Sequence, residues 1–417
     1  MPEVLKPRLL WISDHVVDTG FARVAKNVLE HLRHHWDIHV IGINSVGDPH
    51  SYPYPIYPAR NGGDIWGLGR FRELVPYLRP DIICILQDPW IVSRFLEFER
   101  DEVPMAAYMP VDARNIPPNV CTALNKLQLA IFYTKFGERE CRQSGYQGQS
   151  EIIPHGVDPT IYRPLSRSYS RSRLNFSTEL GPDAFIVGNV NRNQPRKRLD
   201  LSVEYFAEWI KQRRVKNAYL YLHCAQQEQA GWNLSQLAHY YGIQKNVILP
   251  AADVVTAAEG FPENQMPFVY NSMDVHVSTT LGEGWGLSSV ESAACGIPQI
   301  VPQYSALGEW LAGAAYFVSC TSHETHIVVN TIGGVADKRG FIEALDAMYR
   351  DPAMRSQYGS LGLFRVLDPK FRWAAVAGRF HEVLTQMMIE HKKPKAGDKV
   401  EFVDELPVVE ATVAAGG

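Results

Sequence analysis

The feature that most constrains this chain is a repeated alternation of short apolar runs with longer segments of helical spacing. Leu9-Leu-Trp-Ile-Ser13 is followed by Phe21 to His34, where apolar residues recur every three or four positions, and then by a second apolar run, Asp37 to Ile43. Runs of this length with helices between them build a parallel sheet with helical crossovers. Further apolar runs follow at Asp81 to Leu86, Met105 to Met109, Ala130 to Tyr133 and Glu151 to Pro154, with helical spacing at Phe71 to Leu78 and Lys135 to Ser144. The stretch His50 to Gly69, rich in Pro, Tyr and Gly, reads as an irregular excursion.

A second series of the same kind starts at Ala184 to Val190. It continues through strands at Tyr219 to Cys224, Asn246 to Leu249, Asp274 to Ser278 and Gln299 to Pro302. Helices are expected at Leu199 to Gln212, Leu234 to Tyr241, Pro267 to Met273, Ser288 to Cys295 and Gly340 to Arg350. A chain of 417 residues suits two domains. Between the two series lies Asp158 to Leu174, with Pro159, Pro164, several serines and four arginines (163, 167, 171, 173), which reads as an inter-domain connection whose arginines form a solvated linker or helix face, contact with an anionic acceptor being the alternative. The last helix, Arg372 to His391, carries Trp373, Val376, Phe380, Val383, Leu384 and Met387 on one face and is long enough to bridge domains. This gives a first α/β domain at 1–165, a second at 166–370, a returning helix at 371–391 and a mobile tail at 392–417.

Open α/β sheets bind ligands at the carboxyl ends of their strands. At those ends stand Asp18-Thr-Gly-Phe-Ala-Arg23, with Gly20; Gln87-Asp-Pro-Trp90; Pro110-Val-Asp-Ala-Arg114, with Asp112; His155-Gly-Val-Asp158; and the basic loop Asn191-Arg-Asn-Gln-Pro-Arg-Lys-Arg198. Cations beside a helix start suit a pyrophosphate, and a plain basic surface loop is the alternative. The most informative stretch is Leu281-Gly-Glu-Gly-Trp-Gly-Leu-Ser-Ser-Val-Glu291: a strand, a loop with Gly282, Gly284 and Gly286, then a helix. Glycines permit a sharp turn and a close backbone approach by a ligand. The helix start near Leu287 and Ser288 offers free N–H groups to an anion. Glu283 and Glu291 are unsuited to phosphate and suited to accepting hydrogen bonds from hydroxyls. Phosphate at the helix start with hydroxyl-rich groups on either side describes a nucleotide-sugar; an ordinary βα turn with two solvated glutamates is the alternative.

A net charge of −4 supplies no global field toward nucleic acid or membrane. The six cysteines form no Cys-x-x-Cys pair, which argues against a zinc site or disulfide framework and fits a reducing, cytoplasmic setting. The N-terminus has no apolar signal core, and no run approaches the length of a membrane span.

Taken together these residues resemble the retaining glycosyltransferases of family 4, which have the GT-B fold. Glu283 and Glu291 match that family's Glu-x7-Glu motif. Arg192 and Lys197 match its Arg and Lys five apart after the first strand of the second domain. Ile153-Pro-His-Gly-Val-Asp158 resembles its domain-closing segment, and Gly296-Ile-Pro-Gln299 its Gly-x-Pro. The resemblance implies two Rossmann-like domains facing across a cleft. A UDP- or GDP-sugar would bind mainly in the second, with Gly20, Gly284, Trp285 and Gly286 around it. It implies that Arg192 and Lys197 hold the diphosphate together with N–H groups near Leu287 and Ser288, that Glu283 holds donor-sugar hydroxyls and that Glu291 holds the ribose. It also implies retention of configuration, with no cofactor and no metal. Where many members have a first-domain His, this chain has Pro110-Val-Asp112, so Asp112 is placed in that role. A sugar-nucleotide epimerase, a phosphorylase and a catalytically silent sugar-nucleotide-binding subunit are the competing readings. The acceptor stays open among a glycan, a lipid-linked carrier with peripheral membrane contact, a small metabolite and modified DNA.

Overall fold

A computed structural model describes residues 5–60, 63–99, 102–176, 180–226, 230–256 and 260–392. Two parallel sheets organise them. The first holds β1 (Arg8–Asp14), β2 (Asp37–Ile43), β3 (Ile56–Pro58), β4 (Ile82–Leu86), β5 (Met105–Met109), β6 (Leu129–Phe132) and β7 (Ser150–Ile152), in the order β3-β2-β1-β4-β5-β6-β7. The second holds β8 (Phe185–Val190), β9 (Ala218–His223), β10 (Val247–Ile248), β11 (Val275–Val277), β12 (Gln299–Pro302) and β13 (Tyr316–Val318), in the order β10-β9-β8-β11-β12-β13. The central strands are covered on both faces, as near-continuous apolar sequences require: Leu9, Leu10, Trp11 and Ile12 are all inaccessible to solvent. Strand order reverses at β1/β4 in one sheet and at β8/β11 in the other. Those are the crevices where loops diverge and ligands fit.

The last helix, Trp373–Lys392, lies on the first unit. Phe380 meets Trp11 edge to face at 5.9 Å, and the Trp36 Nε1–H donates to His381 Nδ1 at 3.2 Å. The chain passes between the units twice, side by side: the Val157 N–H donates to the Phe371 carbonyl at 2.8 Å. A Cβ on Gly156 would fall 2.6 Å from the Trp373 ring, so glycine is required at that crossing.

Several elements differ from the sequence reading. The 50–69 excursion contributes β3, paired to β2. The connection 158–174 holds a helix, Arg167–Arg173, and Arg171 on it is buried. Its guanidinium donates to the Ser272 carbonyl at 3.0 Å and to Asp274 at 2.7 Å, so this arginine anchors the segment to the start of β11 and is not solvated. Helices at Pro89–Phe95, Pro118–Ala123, Ser305–Trp310 and Pro352–Val366 add to those foreseen. So does an antiparallel hairpin of β14 (Cys320–Thr325) and β15 (Ile332–Ala336). The hairpin reaches the first unit, where Arg114 and Ile332 exchange backbone hydrogen bonds at 3.0 and 2.9 Å. The tail expected to be mobile lies, from residue 393 onward, outside the described residues. No described helix is long and apolar enough to cross a membrane.

Candidate active site

The carboxyl edges of the two sheets face each other across a cleft of about 950 Å³. On the second unit, β8 delivers the basic loop and β11 delivers the glycine loop to the same edge. Lys197 Nζ lies 2.5 Å from Glu283 Oε1, and Arg196 reaches Glu283 at 3.3 Å and the Gly282 carbonyl. The Arg196 Nε also pairs with Asp112 of the first unit at 3.1 Å. Sequence reasoning had selected Lys197, Glu283 and Asp112; the structure joins them through Arg196, which had been noted only as part of a basic loop. Arg192 lines the same cleft, close enough to Asp14 to act on its carboxyl.

Burial alone would raise the Glu283 carboxyl, but the adjacent Lys197 and Arg196 charges outweigh it and hold the group below the usual glutamate range. Burial pushes the Lys197 ammonium down to about 8, against the pull of Glu283. Arg192, Arg196 and Lys197 thus bring three basic side chains to the edge that also holds Glu283.

The glycine loop leads into the helix Leu287–Ala294 through Gly286, whose φ of +91° is left-handed. The other two glycines have a role the sequence did not reveal. A Cβ on Gly282 would lie 1.8 Å from the Asp112 carbonyl oxygen, and one on Gly284 would lie 2.5 Å from the Pro110 Cβ. These missing side chains let the two units touch. Gly20 opens the helix Gly20–Leu32 directly opposite, with a Cβ position 3.3 Å from the Leu287 side chain, so two helix N-termini converge on the cleft. Among the described residues the Leu287 and Ser288 N–H groups donate to no protein acceptor.

Glu291, one turn into that helix, is buried, and both its oxygens are engaged. Arg23 Nη1 of the first unit lies 2.5 Å from Oε1, and the Tyr270 hydroxyl donates to Oε2 at 2.6 Å. Burial pushes this carboxyl up and Arg23 opposes the shift. The sequence marks Arg23 only as the end of the loop Asp18 to Arg23, because its partner is 268 positions away. Trp285, expected beside the donor, is almost fully buried. It stacks on Trp310 at 5.3 Å and meets His155 edge to face at 5.8 Å, forming the floor of the cleft. His155 accepts or donates through Nδ1 to the Tyr108 hydroxyl at 2.6 Å, and burial lowers its ring to about 3, so it is neutral. In the first unit, burial and the nearby Asp112 charge push Asp88 up to about 7.

Residues 138–380, more than half of the chain, match the family described as family 4 glycosyltransferase in conflict systems. A D-inositol 3-phosphate glycosyltransferase from Streptosporangium roseum is 24% identical over 241 residues, which is 58% of this chain and 50% of that protein. One of the same name from Thermobispora bispora is 26% identical over 242 residues, 57% of this chain and 50% of that protein. The chain thus spans about half the length of the curated relatives it matches. Among solved structures, sucrose-phosphate synthase from Thermosynechococcus elongatus superposes with a TM-score of 0.72 at 16% identity, over 92% of this chain and 100% of that one. The α,α-trehalose 6-phosphate synthase from Burkholderia multivorans does so at 0.69 and 14%, over 92% and 99%. Anabaena HepE in complex with UDP and glucose does so at 0.67 and 13%, over 91% and 100%. At such identities the likeness establishes the fold, two facing Rossmann-like domains of the GT-B type. With that fold, and with the match across residues 138–380, the chain belongs to the family 4 glycosyltransferases of conflict systems.

Proposed function

We propose that the chain is a retaining glycosyltransferase that moves a sugar from a UDP- or GDP-linked donor to an acceptor hydroxyl, without a bound metal. The observation that carries the reading is the meeting of Arg196 and Lys197, from the loop after β8, with Glu283, from the loop that leads into the helix Leu287–Ala294, at the carboxyl edge of the second sheet. The diphosphate lies against Arg192, Lys197 and the Leu287 and Ser288 N–H groups. Their fixed positive ends stabilise the charge that grows on the leaving phosphate. Glu283, kept ionised by its neighbours, accepts hydrogen bonds from donor-sugar hydroxyls, and Glu291 does so from the ribose. The C1–O bond to phosphate breaks, the acceptor oxygen joins C1 on the same face, and its proton passes to the departing phosphate oxygen. Asp112 holds Arg196 toward that reaction from the first unit. Among the described residues no group of three or more His, Cys, Asp or Glu side chains is placed to hold a metal ion, and the three cations supply the positive charge.

Names of relatives support the reading: D-inositol 3-phosphate glycosyltransferases in sequence, and a fold neighbour in complex with UDP and glucose. The test is a thermal-shift screen with UDP, GDP, ADP and their sugars. A ligand at 100 times its dissociation constant adds about 2.7 kcal/mol of stability. No shift with any of them overturns the proposal. Donor turnover to a free or epimerised sugar, with no acceptor required, points to the epimerase reading.

A further inference from the structure

The donor in the reading above occupies the second unit's side of the cleft; the present inference rests on that reading and concerns the opposite wall. Three features of the wall stand out. Asp88 occupies the N-cap position of the helix Pro89–Phe95, yet its carboxylate makes no capping hydrogen bond. Aspartate in this position ordinarily accepts from the first turn. Among the described residues it has no other hydrogen-bond or ion-pair partner, and it lines the cleft. Trp66 and Trp90 line the same space and are only half-buried. The Trp66 turn is held rigid, because the Asp64 carboxylate accepts from the N–H groups of Trp66, Gly67 and Gly69 at 3.1, 2.9 and 2.8 Å. Tyr133 is buried between Tyr108 and His155, at 4.4 and 4.1 Å, and lines the cleft near Asp88, but its hydroxyl has no hydrogen-bond partner.

The titratable side chains on this wall are mostly carboxylic, and one of them, Asp112, is paired to Arg196. Asp14, Asp18, Asp88 and Asp112 line the cleft from the first unit, and Arg23, held by Glu291, is the single arginine or lysine among that unit's described lining residues. Above the pH of about 7 at which Asp88 ionises, a phosphate group placed here meets a like charge in a partly dehydrated space, where repulsion is stronger than in water. A ring bearing hydroxyls or an ammonium meets carboxylate acceptors and aromatic faces, both favourable.

We propose that this wall, through Asp88, Trp66 and Trp90, takes an acceptor whose hydroxyls sit on a neutral or cationic ring, and that it rejects phosphorylated acceptors. Asp88 accepts a hydrogen bond from an acceptor hydroxyl or ammonium, and the indole rings cover the apolar face.

The test uses the full chain and matched probes: myo-inositol against D-inositol 3-phosphate, and glucosamine against glucosamine 6-phosphate. Two readouts are taken, release of nucleoside diphosphate from the donor and tryptophan fluorescence without donor. The expected result is at least tenfold more release with the unphosphorylated member of a pair than with its ester. A fluorescence change that is lost in Trp66→Phe/Trp90→Phe is expected alongside it. Asp88→Asn narrows the preference several-fold and Asp88→Lys reverses it; the first variant keeps the shape of the site should the second fold poorly. Equal or better response to the esters overturns the proposal. So does silence with every unphosphorylated probe, or a response confined to a polyanion such as DNA. Failure of nucleotides to bind by calorimetry defeats the donor reading instead, and the fluorescence titration still decides what this wall prefers.

Discussion

Arg23 and Glu291 stand on helices of opposite units, and their side chains meet at 2.5 Å. Further polar contacts join the units beside apolar ones such as Phe136 against Tyr304 at 5.9 Å. Asp112 meets Arg196, and the Glu309 carboxylate accepts from the Lys135 and Phe136 N–H groups at 2.9 and 2.8 Å, at the start of a first-unit helix. The Glu291 end of the pair is buried, so separating the two charges carries a desolvation cost that an exposed ion pair would not.

Removing Arg23 leaves a buried carboxylate without its ion-pair partner. Arg23→Ala is expected to destabilise the fold by about 3 kcal/mol at neutral pH. Burial already raises Glu291 above 4.5, and loss of Arg23 raises it further. A carboxyl raised in the folded state favours folding at low pH and loses that advantage as pH climbs through its folded value. Urea unfolding of the variant should therefore show stability falling as pH rises from about 4.5, where the parent changes less. A flat profile contradicts the pairing.

Arg192→Ala and Lys197→Ala are each expected to lower turnover about 10²- to 10³-fold, as loss of one fixed electrostatic stabiliser does. Since burial brings Lys197 down to about 8, activity should decline as pH rises through that value, and Lys197→Arg should move the decline upward. Turnover near that of the parent in both alanine variants, at saturating donor, removes these residues from the diphosphate site.

The two glutamates should separate in calorimetry. Glu291→Gln is expected to weaken binding of the bare nucleoside diphosphate, because a ribose contact exists in ground and transition states alike. Glu283→Gln is expected to reduce turnover far more than that affinity. The opposite pattern exchanges their roles.

Activity should persist in excess EDTA, since three cations stand where a metal would otherwise neutralise phosphate. Loss in EDTA with recovery on adding Mg²⁺ or Mn²⁺ refutes metal independence.

A chain ending before Arg372 uncovers Trp11 and Trp36 and loses the buried side chains of Phe380 and Leu384. Each large apolar side chain contributes about 1.5–3 kcal/mol on burial, so loss of the helix should exceed what a marginally stable domain tolerates. Limited proteolysis reports this directly. With the helix intact, donor should make the particle more compact in small-angle scattering, by drawing the walls together around the phosphates. A chain ending near Gly362 that keeps full stability shows that the helix is dispensable.

The sequence by itself determined the two sheets and most of their strands. Strands buried on both faces are nearly unbroken apolar runs, and helices between them repeat at three to four residues. It also located the glycine loop, Glu283, Glu291 and the basic loop, because glycine clusters and charges at strand ends are local signals. It did not announce the β14–β15 hairpin, since Cys-Thr-Ser-His-Glu-Thr is polar and mostly exposed and has no apolar alternation to mark a strand. Nor did it separate Arg171, buried against Asp274, from the exposed arginines beside it, because an ion pair 103 positions apart leaves no local trace. For the same reason the partners of Arg23, Arg196 and Asp112 were decided by the tertiary structure alone. Two sheet edges had to be brought face to face before Gly282 and Gly284 acquired a reason to lack side chains, and before Asp88 stood across the cleft from the basic loop.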